Sequence, residues 1–206
     1  MPMSMPLSWS QLLHLGDLSL TIPTGSAIAA WLLAGRAWRA AFGWTLVFGL
    51  ALGLVAATKI AFMGWATGLP ALDFKAVSGH ATGFAAVFPT LCYLLAGGRT
   101  ARTRTLGAFA GLALAGVVAA ALVHAGEHTL AEALAGWLIG AGVFLCAVHL
   151  AGNQPAPPAG RAIAFAACAF LATAWILRSA PLNWWMIKVA LVLSGNPAPI
   201  PWDTCG

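Results

Sequence analysis

The sequence predicts an all-α, polytopic membrane protein: one bundle of about six transmembrane helices. Two observations carry this. Of the 206 residues, 61% are hydrophobic and only 7% charged, and mean hydropathy is +0.87, whereas a soluble domain carries roughly 25% charged residues. The apolar residues also gather into long runs separated by short stretches that hold most of the Arg, Pro and Gly, the pattern of spans and loops. A chain of this length fits a single domain over residues 1–206.

The elements follow in order. Leu7 to Leu18 is mildly amphipathic and carries Trp9, as an interfacial segment would. The first apolar run covers 20–35, with Pro23 near its start where proline suits a helix, and ends at Arg36 and Arg39. A second run, Ala41 to Thr58, is predicted to stop at Lys59. Residues 60–79 contain Gly64, Gly68, Pro70, Asp73 and Lys75 and read as a re-entrant or surface loop. The third run is 81–96, followed by Gly97 to Arg104, the most basic stretch of the chain. A fourth run at 106–123 and a turn from His124 to His128 lead into a fifth at 130–150. A Pro/Gly linker at 152–161 precedes a sixth run at 162–177. Trp184, Trp185 and Lys188 mark 181–195 as a last interfacial helix or short span. Residues 1–20 lack a basic leader segment and contain Pro2, Pro6, His14 and Asp17, so no cleavable signal peptide is expected.

Charge excludes some functions and orients the bundle. The formal net charge of +5 rests on few residues and does not make a nucleic-acid surface. Arg36, Arg39, Arg99, Arg102, Arg104 and Arg161 fall in loops on one side, Lys59 and Lys75 on the other. The arginine-rich side is therefore expected to be cytoplasmic, with both termini outside. Cys92, Cys146, Cys168 and Cys205 show no metal-binding spacing, and the first three are expected to pack as small hydrophobes. No cofactor or metal is expected: His14 and His149 have no evident partners, and Asp73 reads as a loop residue.

The chemistry gathers on the extracytoplasmic side. Lys59 ends the second run, Ser78, Gly79 and His80 open the third, and His128 opens the fifth. Helix N-termini present free amides and a positive dipole end, and Gly79 lets the backbone approach an anion without a Cβ. Two imidazoles, a lysine and two helix starts suit a phosphate: amides and Lys59 meet its oxygens, one histidine attacks phosphorus and the other protonates the departing oxygen. Glu132 lies one turn after His128 and can accept its other N–H. Thr129 to Glu132 is equally a capping-box sequence. Gly136 and Gly140 form a small-xxx-small face suited to close helix packing.

Ser78-Gly79-His80, followed by His128, Glu132, Gly136 and Gly140 at intervals of four, resembles the type 2 phosphatidic acid phosphatase (PAP2) superfamily over about residues 41–150. The family pattern is Lys-x6-Arg-Pro, then Pro-Ser-Gly-His, then Ser-Arg-x5-His-x3-Asp. The resemblance implies a PAP2-like bundle and a phosphoric-ester or diphosphate hydrolase that works without a metal through a phosphohistidine. His128 would be the nucleophile, His80 the acid for the leaving group, Glu132 the orienting carboxylate, and Lys59, Ser78 and Gly79 the phosphate-binding set. The chain departs from the pattern at Ala66 and Thr67, where Arg-Pro belongs, at Val77, and at Leu122, where the third-motif arginine belongs. Lys cannot copy the bidentate fork of those guanidiniums; Lys75 and Arg178 are the candidates to compensate.

The expected function is a lipid phosphate or diphosphate phosphatase of a bacterial inner membrane, its site facing the periplasm or outside and its partners the lipid substrate and membrane lipids. A non-catalytic phospholipid-headgroup binder or transporter, or a lipid phosphotransferase, would use the same scaffold. Activity should be bell-shaped in pH, because one histidine must be neutral and the other protonated. Leu122→Arg is expected to preserve or raise the rate.

Overall fold

The computed structural model describes residues 17–151 and 159–202. Among the described residues it is all helical: α1 Leu18–Ala34, α2 Trp38–Trp65, α3 Gly79–Leu95, α4 Ala101–His124, α5 Leu130–Ala151, α6 Ala159–Arg178 and α7 Leu182–Ser194, with one 3₁₀ turn at Pro70–Leu72. The interfacial segment expected at 7–18 lies outside the described residues apart from its last two, as do His14, Cys205 and most of the 152–161 linker.

Local chemistry starts and stops these helices. Asp17 accepts the Ser19 N–H at the start of α1, and Ser78 and Thr100 cap α3 and α4 through their hydroxyls, each satisfying an orphan amide. One boundary differs from expectation. Ile60 to Met63 keeps the apolar run going past Lys59, so α2 continues to Trp65 and ends at Ala66 in the left-handed region, φ 51°. Lys59 therefore projects from within a helix, nearly two turns before its end, and the loop is confined to 66–78.

Four helices, Trp38–Trp65, Ala101–His124, Leu130–Leu150 and Gly160–Arg178, are long and apolar enough to cross a membrane, and the protein is an integral membrane protein. At 17 residues each, α1 and α3 lie at the short edge of the roughly 17–25 residues that a span requires. With 13 residues, α7 reaches only about 20 Å at 1.5 Å per residue, too little for a core of about 30 Å.

The hub is α3, which packs on α1, α2, α4 and α5. Its contact with α5 depends on two glycines. A Cβ on Gly136 would stand 2.5 Å from the Ser78 carbonyl oxygen, and one on Gly140 2.4 Å from that of Thr82. The small-xxx-small face is thus used as the sequence implied. One core joins α1, α2, α3 and α5 around Trp44, Phe48 and Val143, and the Trp44 indole N–H donates to the Gly25 carbonyl at 2.8 Å. A second core joins α3, α4 and α5 around Phe84, Val118 and Leu122. Cys146 and Cys168 are exposed rather than packed inside, because their helices turn those faces away from the bundle.

Candidate active site

The starts of α3 and α5 meet at one end of the bundle. The Ser78 N–H donates to the Glu132 carbonyl at 3.2 Å, and the carbonyl of Leu122, near the end of α4, accepts the Glu127 N–H at 3.1 Å. The Val77 N–H donates to the Thr58 hydroxyl of α2 at 3.2 Å. The start of α3 is thus tied to α5 and α2, and the turn that leads from α4 to His128 is closed by its own backbone bond.

Glu132 is buried and satisfied on both oxygens. Oε2 lies 2.9 Å from His128 Nδ1 and accepts the Thr129 N–H at 3.3 Å. Oε1 accepts the amides of Lys75 and Ala76 at 3.0 and 3.4 Å. The Thr129 hydroxyl in turn accepts the Glu132 N–H at 3.3 Å. The capping box and the histidine partnership coexist, and the same carboxylate also clamps the loop that delivers α3. That clamp is not visible in sequence, because Lys75 and Glu132 are 57 positions apart. With Nδ1 committed to Glu132, the free nitrogen of His128 is Nε2.

The His80 and His128 rings stand 6.2 Å apart between centroids at an interplanar angle of 57°. A cleft of about 990 Å³ opens beside His128, lined by Lys59, Asp73, Lys75, Glu127, His128, Thr129 and Glu132 together with Leu72, Asn183 and Trp202. Lys59 is close enough to both Glu132 and His80 for their charges to interact. Among the described residues no group of three His, Cys, Asp or Glu side chains could hold a metal ion.

Not every expected site residue reaches the cleft. Ser78 and Gly79 are buried and do not line it, and His80, half-buried, faces His128 without being among the lining residues. Every polar group of Ser78 is in use: its hydroxyl accepts the Ala81 N–H at 3.3 Å, its N–H goes to Glu132, and its carbonyl accepts from Thr82. The amides of Gly79 and His80, by contrast, have no hydrogen-bond partner among the described residues. Lys75 lines the cleft, whereas Arg178 lies over the Trp175 ring at 4.9 Å and is not among the lining residues. Leu122 corrects an expectation. Its side chain is fully buried in the core between α3, α4 and α5, so an arginine there would place a charge among apolar groups rather than beside a phosphate. Sequence reasoning missed Thr58, Asn183 and Trp202, which carry no motif and reach the site only through tertiary packing.

The described residues thus form an all-helical bundle in which two histidines face each other, one held by a carboxylate, beside a cleft that two lysines line. Residues 60–156, a little under half of the chain, match the model of the PAP2 superfamily, and the chain is similar to that family over this core. A Klebsiella pneumoniae protein named "Uncharacterized 22.5 kDa protein in cps region" is 32% identical over 136 residues, covering 66% of this chain and 65% of that protein, a little under two thirds of its length. No solved structure matches significantly.

Proposed function

We propose that this chain hydrolyses a lipid phosphate or diphosphate at the extracytoplasmic face of a bacterial inner membrane, through a phosphohistidine on His128. The observation that carries the reading is the pair of imidazoles 6.2 Å apart, one of them held through Nδ1 by Glu132. His128 Nε2 forms a bond to phosphorus as the ester oxygen leaves, and His80 gives that oxygen its proton. Glu132 supports the positive ring. Water then attacks the phosphohistidine, giving its proton to His80, and orthophosphate departs. Lys59 and Lys75, which line the cleft, would meet the phosphate oxygens. The sidedness rests on charge: Arg36, Arg39, Arg99, Arg102 and Arg104 occupy the end of the bundle away from the cleft, as the positive-inside rule requires of a cytoplasmic end.

One observation favours a second reading, a headgroup binder: among the described residues no arginine lines the cleft, so none there offers bidentate phosphate contacts. Phosphate release from a purified lipid phosphate, without added metal, separates the two. The enzyme reading expects release that falls to background in His128→Ala and a rate that declines at both acid and alkaline pH. Equal rates for wild type and His128→Ala would leave the binder.

A further inference from the structure

One wall of the cleft comes from outside the family-matched core. Asn183, in the first turn of α7, and Trp202, beyond its end, both line the cleft, whereas the matched segment stops at residue 156. This wall is anchored to three consecutive residues of α2. Trp202 stacks on Phe62 with ring centroids 4.8 Å apart, the Ile200 N–H donates to the Met63 carbonyl at 2.9 Å, and Asn196 Nδ2 donates to that of Gly64 at 2.7 Å. A Cβ on Gly64 would lie 3.3 Å from the Ser194 side chain. Phe62 follows Lys59 by three positions on α2, and Trp202 and Lys59 line the same cleft. Trp202 stays 43% exposed, and the Asn183 side chain is also exposed and makes no hydrogen bond among the described residues, so both can meet a ligand in the cleft.

The cleft has room for more than the phosphoryl group. At about 30 Å³ per water-sized group, a phosphate of five heavy atoms fills roughly 150 Å³, far less than the cleft's 990 Å³. An indole face beside a carboxamide presents apolar surface next to hydrogen-bonding groups. Resting on the phosphatase reading above, we infer that Asn183 and Trp202 determine specificity by contacting the part of the substrate attached to the phosphate, and that this part is oxygen-bearing, a glycerol ester or a sugar, rather than a bare isoprenoid chain. A prenyl chain offers the amide no hydrogen-bonding group, whereas a glycerol ester or sugar does.

The test uses the full chain in detergent micelles with three probes: dioleoyl phosphatidic acid, an acylated glucosamine phosphate and a polyprenyl phosphate. Wild type should show a KM about three- to tenfold lower for one or both oxygen-bearing lipids than for polyprenyl phosphate, and whichever is lower identifies the source. Asn183→Ala should erase that ratio by raising the KM of the oxygen-bearing lipids. Trp202→Ala should raise KM for all three about three- to tenfold, while Trp202→Phe, which keeps a ring on Phe62, retains most of the affinity. A wild-type preference for polyprenyl phosphate, or an Asn183→Ala change equal for all three lipids, overturns the inference. If no lipid is hydrolysed, equilibrium binding of the same probes decides. An Asn183-dependent preference upholds the wall although the enzyme reading fails, and equal affinities reject it.

Discussion

The α3–α5 seam and the α1–α6 face both join two helices along much of their length, yet they are built by opposite rules. The seam has no room for a methyl group at Gly136 or Gly140, and α3 is buried for most of its length. On the other side, the membrane-length stretch of α6 is only 6% buried, against 39% for α5, and Gly160 has open space around it. Its Phe165, Leu171 and Trp175 face outward, as lipid-facing residues do. The seam carries His80, His128 and Glu132; the α6 face carries none of the candidate machinery. Catalytic geometry tolerates errors of about half an ångström, and close backbone packing at glycines is how this bundle holds two histidines in register.

Predictions that break the seam, taken from the largest effect to the smallest, sharpen this contrast. Glu132→Gln keeps an acceptor for the Lys75 amide but turns an NH₂ toward His128 Nδ1, which already lies 2.9 Å from the carboxylate. The wrong tautomer should lower kcat on the order of 10⁴-fold, as amide replacement of an orienting acid does elsewhere, with lipid binding retained. Leu122→Arg buries a cation in the second core and should destabilise by several kcal/mol, read as a lowered melting temperature; a rise in activity without that loss would contradict the packing. Lys59→Ala removes a charge from the cleft and should lower kcat about a hundred- to thousandfold, or roughly 3–4 kcal/mol, measured as phosphate release. Gly140→Ala forces a methyl onto the Thr82 carbonyl and should cost about 1–3 kcal/mol. Gly142→Ala, two residues along the same helix but with nothing within 4 Å, should be neutral or gain up to about 1 kcal/mol. Equal melting temperatures for these two variants would show that the seam is not tight.

Much of this is legible in the sequence. Hydropathy locates every described span, because only a helix that crosses or lies in a bilayer needs such long apolar runs between basic loops. Ser78 to His80 and the four-residue spacing from His128 to Gly140 point to two helix starts and one glycine face, and the structure brings them together. What escapes has a common cause. A cation usually ends a span, which puts Lys59 at a helix end, but Ile60 to Met63 extend the apolar run beyond it. The Glu132 clamp on Lys75 and the Asn196 bond to Gly64 join residues 57 and 132 positions apart. Periodicity reads one helix at a time and carries no trace of such pairings. Leu122 stands where the family pattern has a guanidinium, and only the packing around it shows that the position belongs to the core.

The central claim is that His128, held by Glu132 and faced by His80, carries the phosphoryl group between substrate and water. Rapid acid-free quenching of the enzyme with a lipid phosphate labelled at phosphorus tests it most directly. The account predicts protein-bound, acid-labile label that maps to His128, disappears in His128→Ala, and accumulates when hydrolysis is slowed in His80→Ala on a substrate with a good leaving group. Phosphate release from wild type with no such label, or label that persists in His128→Ala, would contradict it.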